Sequence, residues 1–161
     1  LEEAAKNSGL SRKYLESRDE KAVILAPLYQ SVGFGTDAYK PLEQKAAEAQ
    51  REIIEKIAFE GPCVIVGRRA DLVLRNKIKV LSVFVCGSEE KRIRRVMPRE
   101  KLTEKEARQK IAKADRERAM YYNQFASSKW GQPSSYDLCF NTDRISPEET
   151  ADMIIRAAKE V

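Results

Sequence analysis

Three short stretches set arginines beside carboxylates at spacings that suit phosphate binding. The first, GPCVIVGRRADLVL over residues 61–74, runs four apolar residues into Gly67, Arg68, Arg69 and Asp71. A guanidinium at the end of a rigid strand clamps a phosphate in bidentate fashion, and a glycine before it lets the chain turn sharply. The same residues also suit a surface Arg–Asp pair beside a helix start. The second, SEEKRIRRVMPREK over residues 88–101, sets Arg92 and Arg95 one turn apart and adds Arg99 after Pro98. Such a run is either a solvated helix face or an arginine-bearing lid that closes over a polyphosphate. In the third, ADRERAMYY over residues 114–122, Asp115 and Arg118 lie three apart with Tyr122 one turn beyond. A carboxylate, a guanidinium and a phenol then share one helical stripe, as they also would in an ordinary salt bridge beside core tyrosines.

Composition narrows the chemistry. The 161 residues include 30 Lys and Arg against 25 Asp and Glu, a net charge of +5, and no histidine. Ser-His and Cys-His triads and any histidine base are thereby excluded, leaving carboxylates, arginines, lysines and backbone. Cys63, Cys86 and Cys139 form no CxxC pair. Each falls in or beside an apolar run, so they are expected to be buried thiols in a reducing cytosol, with no disulfide and no metal centre. No apolar run reaches the length of a membrane span and no leader resembles a signal peptide, so a soluble, cytoplasmic protein is expected. With 42% apolar residues the chain suits a single domain over residues 1–161. No feature of the sequence selects an oligomeric state.

The elements that must position these residues are legible from periodicity and caps. Residues 1–9 read as an amphipathic helix ended by Gly9 and lacking a starting Met, so a segment is expected upstream of Leu1. Ser11 caps a short charged helix, and PLYQSVGFGTDAYKP over residues 27–41 is a loop rich in Gly and Pro. Ala46, Ala49, Ile53, Ile57 and Ala58 recur at helical spacing, predicting a helix over 42–60 that stops at Gly61-Pro62. CVIVG (63–67) and VLSVFVC (80–86) predict strands covered on both faces, and YDLCFNT (136–142) a third. Between them lie a helix over 88–97 capped by Ser88 and a long helix over 103–125 with a Thr103–Glu106 capping box. Ser146, Pro147 and Glu149 start a last helix. Alternating strands and helices imply a parallel α/β sheet, and three short strands are few for so many helices, so further strands are expected before residue 1. Trp130 is expected to anchor the segment that leads into the last strand.

The succession EGPCVIVGRRADLVL, VFVCGSEEKRIRRVM and KADRERAMYYNQFASSKWGQPSSYDLCFNT, followed by a capped helix, resembles the cytidylate kinase-like family of nucleoside monophosphate kinases. The resemblance covers essentially the whole chain and is specific because several spaced elements occur in order. It implies a three-layer α/β/α P-loop nucleoside triphosphate hydrolase-like kinase fold with a helical lid and with its first strands missing from these residues. Residues 1–60 would be a helical acceptor-side region, 61–87 core strands, 88–115 the lid and 116–161 the C-terminal core. The implied activity is transfer of phosphate from ATP, with Mg²⁺, to a pyrimidine monophosphate of the CMP or dCMP type. Gly67, Arg68 and Asp71 match residues that contact the acceptor monophosphate. Asp115 and Arg118 match those binding the cytidine sugar and the phosphates. Arg92, Arg95 and Arg99 match lid arginines that neutralise the transferring group, and Asn141-Thr142 sits where the family receives the adenine of ATP.

One departure is large. The family begins with a strand and a glycine-rich phosphate loop, whereas this chain has no G-x-x-x-x-G-K-[ST]; SVGFGTDAYK is the one candidate and lacks a preceding strand. Residues 1–161 alone are therefore expected not to be a competent kinase. Phosphoryl transfer needs mostly positioning and positive charge, which suits a histidine-free arginine site, and Mg²⁺ would be bound largely through ATP oxygens and waters. Two other readings compete: a non-catalytic nucleotide sensor of the same fold, and a nucleic-acid-binding module using residues 91–118. Against the latter, glutamates interleave the arginines and no aromatic run offers base stacking.

Overall fold

The computed structural model describes residues 42–161, with side chains from residue 47 onward. The helices expected over residues 1–9 and after Ser11, the loop over 27–41 and any earlier strand lie outside the described residues. The described residues belong to two compact units, one ending at Leu74 and one spanning Arg75–Val161. Among them no helix is long and apolar enough to cross a membrane.

In the first unit, helix α1 (Leu42–Glu60) forms over the expected residues. It buries Ala49, Ile53 and Ile54 on one face, whereas Ile57 lies at its margin, 38% exposed. Gly61 and Pro62 then end it, since proline has no N–H for another helical bond. The strand expected over 63–67 does not form. No described residue pairs with it, so Val64 and Val66 are 93% and 83% exposed. A strand exists only through a neighbour's N–H and C=O groups, and apolar composition alone does not make one. The short helix α2 (Ala70–Leu74) follows, buries Ala70 and Leu74, and packs on α1.

The second unit carries β1 (Val83–Cys86), α3 (Glu89–Glu100), α4 (Glu104–Asn123), a 3-10 turn at Pro133–Ser135, β2 (Leu138–Asn141) and α5 (Pro147–Ala158). β1 and β2 pair in parallel, Val83 with Leu138 through Cys86 with Asn141. This is a mixed α/β arrangement with a small parallel sheet, of two strands among the described residues where three were expected. Among the described residues each strand keeps an open edge and coverage of the faces is incomplete: Val85 is 51% exposed. For the same reason Cys63, Cys86 and Cys139 are exposed free thiols and not the buried ones expected.

Helices α3 and α4 form a hairpin around Ile93, Ala107 and Ile111, with Val96, Met97 and Leu102 against them. Burial of each isoleucine contributes about 1.5–3 kcal/mol. α3 runs through Pro98 to Glu100, one turn beyond the expected end. Pro98 removes one helical bond, but Lys101 adopts a left-handed C-cap at φ 56°, and the Leu102 N–H donates to the Met97 carbonyl at 3.1 Å. Leu102 is thereby turned onto the hairpin core. Both predicted capping boxes are present, Thr103 with Glu106 and Ser146 with Glu149. Trp130 meets Phe84 of β1 edge to face at 5.4 Å and so anchors the approach to β2.

Candidate functional site

The α3–α4 hairpin sets Arg92 opposite Asp115. Arg92 lies in the first turn of α3 beside buried Ile93, and Asp115 lies one turn beyond buried Ile111 on α4. Packing of the two isoleucines around Ala107 therefore fixes the two polar residues beside the seam. The guanidinium forks onto the carboxylate, Nη1 to Oδ2 at 2.7 Å and Nη2 to Oδ1 at 2.7 Å. Arg118 adds a third bond, Nη1 to Oδ1 at 3.2 Å. The side chains of Arg92 and Asp115 are each 27% exposed, and that of Arg118 is 45% exposed. The Asp115 hydrogen bond holds the Arg92 guanidinium above its ordinary pKa, against the opposing effect of its burial. Two guanidiniums thus converge on one carboxylate, with Arg118 the more exposed of the two.

Arg95 and Arg99 lie three and seven residues after Arg92, on the same stripe of α3 by helical spacing. Both are exposed, and Arg99 donates to Glu100 at 3.0 Å. Arg108 of α4 bridges to Glu89 at 3.0 Å, and Lys110 bonds Glu100, so ion pairs join both ends of α3 to the first half of α4. Tyr122, expected on the stripe with Asp115 and Arg118, is buried and packs 6.2 Å from the Tyr136 ring.

At the end of β2, the Thr142 hydroxyl donates to the Cys86 carbonyl at 3.0 Å, and the Asp143 N–H donates to Asn141 Oδ1 at 2.9 Å. Asn141 remains exposed. In the other unit, Gly67, Arg68 and Arg69 form a turn with φ of 72°, 62° and 56°. The Ala70 N–H closes it on the Gly67 carbonyl at 3.2 Å, with Arg68 and Asp71 half-buried at the start of α2. Glycine adopts this left-handed geometry freely, whereas each arginine pays roughly 1–2 kcal/mol for it.

Sequence reasoning missed two clasps on the sheet. Asp137 accepts the Ser82 N–H and hydroxyl, both at 2.7 Å, and Asp143 accepts the Ser88 N–H at 3.0 Å from each oxygen. Both pairs are separated by 55 residues, the offset of the parallel ladder itself. The signal was present as a repeated spacing: serines at 82 and 88 flank one strand as aspartates at 137 and 143 flank the other.

Comparison with known proteins places these features in context. The model of the cytidylate kinase-like family matches residues 1–144. An uncharacterized protein from Eubacterium ventriosum, known by its crystal structure, is 33% identical, with a TM-score of 0.69 over 74% of this chain and 76% of that one. A 110-residue stretch is 28% identical to a uronate isomerase of Corynebacterium glutamicum, covering 68% of this chain and 21% of that protein. The chain thus spans about a fifth of the length of that curated relative.

Proposed function

Because the chain belongs to the cytidylate kinase-like family, we propose that it transfers the terminal phosphoryl group of ATP to a pyrimidine nucleoside monophosphate of the CMP or dCMP type. The observation that carries this reading is the cluster in which Arg92 of α3 and Arg118 of α4 share Asp115. The finer fold belongs to the same proposal: a single P-loop kinase-like domain over residues 1–161 whose lid is residues 88–115, α3 and the first part of α4. So does a cytoplasmic location. A fifth of a uronate isomerase does not define its active site, so isomerase activity is not assigned.

In this reaction an oxygen of the acceptor phosphate forms a bond to the γ-phosphorus while the bond to the β–γ bridging oxygen breaks, and ADP leaves with that electron pair. The transition state spreads negative charge over the γ-phosphoryl oxygens, and fixed guanidiniums stabilise it without reorganising. Arg92, Arg95 and Arg99 would supply that charge. Asp115 and Arg118 would hold the sugar and phosphates of the acceptor; a phosphate-binding role of Gly67, Arg68 and Asp71 belongs to the same proposal. Exposed Asn141, whose Oδ1 already accepts the Asp143 N–H, offers its amide NH2 to an adenine edge, while the Thr142 hydroxyl is already donated to the chain. Bound Mg²⁺ would neutralise charge on the donor phosphates. Among the described residues no three Asp, Glu or Cys side chains gather into a cation cage, so ATP oxygens and water would hold the ion.

The test is ADP release by the protein expressed from its full gene, with ATP, Mg²⁺ and each common nucleoside monophosphate in turn. Turnover with CMP or dCMP is expected. No turnover with any acceptor overturns the proposal.

A further inference from the structure

Asp143 has no role in the chemistry just described, yet it joins the end of β2 to the start of α3. Both of its carboxylate oxygens accept the Ser88 N–H at 3.0 Å. Its backbone carbonyl accepts from the Lys91 ammonium, and its own N–H is donated to Asn141. The chain passes so close here that a Cβ on Gly87 would stand 3.2 Å from Asp143 Oδ1 and 3.3 Å from the Thr142 hydroxyl.

Ser88 is the N-cap of α3, and its carbonyl accepts the Arg92 N–H at 3.1 Å. A continuous path of bonds therefore runs from the Asp143 carboxylate through the Ser88 residue to the Arg92 backbone, and the Arg92 guanidinium forks onto Asp115. The remaining side-chain cap of this turn, from the Lys91 N–H to Ser88 Oγ, is long at 3.5 Å. First-turn N–H groups lack helical partners, so a helix weakly capped in this way frays from its N-terminus, where Arg92 sits.

We propose that Asp143 is the positioning residue for Arg92: it fixes the first turn of α3 on the end of β2 and so sets the register in which Arg92 meets Asp115. The step that Arg92 serves rests on the phosphotransfer reading, whereas the positioning itself does not. A carboxylate suits the role because it offers two acceptor oxygens to one N–H and a negative charge to a helix start. The Ser82–Asp137 clasp at the other end of the ladder keeps β2 from sliding, so Asp143 holds α3 from a fixed point.

The experiment compares Asp143→Ala, Asp143→Asn, Arg92→Ala and the Asp143→Ala/Arg92→Ala double variant in the full-length protein with ATP and CMP. Asp143→Ala should lower kcat about tenfold with the CMP KM within about twofold, the signature of an interaction made in the transition state. Asp143→Asn, whose amide oxygen still accepts the Ser88 N–H, should stay within about threefold of the parent. In the Arg92→Ala background Asp143→Ala should change kcat little; an equal loss in both backgrounds overturns the inference. A second arm needs no turnover: urea unfolding of Asp143→Ala, Asp115→Ala and their combination should be non-additive by at least about threefold in the folding constant. Additive effects overturn the positioning role. A protein inert toward every nucleotide sinks the phosphotransfer reading alone, and the unfolding cycle then decides the positioning. If Asp143→Ala does not fold, Asp143→Ser, whose side chain falls short of the Ser88 N–H, replaces it in both arms.

Discussion

Asp115 accepts a fork from Arg92 and one further bond from Arg118, and this sharing gives the cluster its chemical character. A lone exposed Arg–Asp pair contributes about 0–1 kcal/mol. Two guanidiniums on one carboxylate are held in place by it, so under the proposed phosphotransfer a phosphate would meet donors whose ordering entropy is already lost. Arg118→Ala should therefore weaken nucleotide binding or reduce turnover by about tenfold or more while moving the melting temperature little, and Arg68→Ala, by its proposed phosphate-binding role, should do the same. Calorimetric titration with CMP and thermal unfolding of the same variants check this. If both variants mainly lower the melting temperature and bind CMP as the parent does, the two arginines serve local ion pairs. The Asp115–Arg118 half of the cluster was legible in the sequence, because three residues along a helix is a fixed distance. The Arg92–Asp115 half was not, since 23 residues and a helix turn separate them.

The two Ser–Asp clasps act on the sheet as an element. Hydrogen bonds from Ser82 hold the Asp137 carboxyl below its ordinary range, and those from Ser88 do the same for Asp143, with Lys91 and Arg144 nearby. A depressed carboxyl pKa contributes stability that is fully present above the unfolded value of about 3.9 and is lost as pH falls through the folded value. Resistance to urea should thus be level near neutrality and decline as the pH drops below about 4 to 5. Asp137→Asn should remove part of that acid dependence, and urea midpoints measured from pH 3 to 7 check it. An acid limb of unchanged slope in Asp137→Asn would show that the clasp does not couple to folding.

At the scale of the molecule, the +5 charge is modest, and the distribution of arginines along α3 and α4 matters more than the sum. With a screening length of about 10 Å at 0.1 M salt and about 3 Å at 1 M, attraction of a nucleotide from beyond contact range is salt-sensitive. CMP affinity should accordingly weaken several-fold between 0.05 and 0.5 M NaCl, on the order expected when a few exposed charges are screened. Affinity independent of salt would mean that contact hydrogen bonds alone hold the nucleotide. The open faces of β1 and of residues 63–66 also belong to this scale. Val64, Val66 and Val85 are exposed and so are all three cysteines, although their composition reads as core.

What the sequence determined by itself were the features set within a few residues. Helix α1, the capping boxes at Thr103 and Ser146 and the cap at Ser88 all follow from side chains that bond or pack three or four positions away. The family was legible for a related reason, because the order and spacing of several such local elements is itself carried by the sequence. Tertiary structure alone decided the pairings across the chain: Arg92 with Asp115, Ser82 with Asp137, Ser88 with Asp143. It also decided against a strand at 63–66. Each of these depends on which backbone lies alongside at the register of a ladder or a helix seam. Apolar composition or charge at one position cannot specify that neighbour, because the same residues satisfy a buried strand, an exposed segment, a salt bridge or a ligand site until the partner is in place.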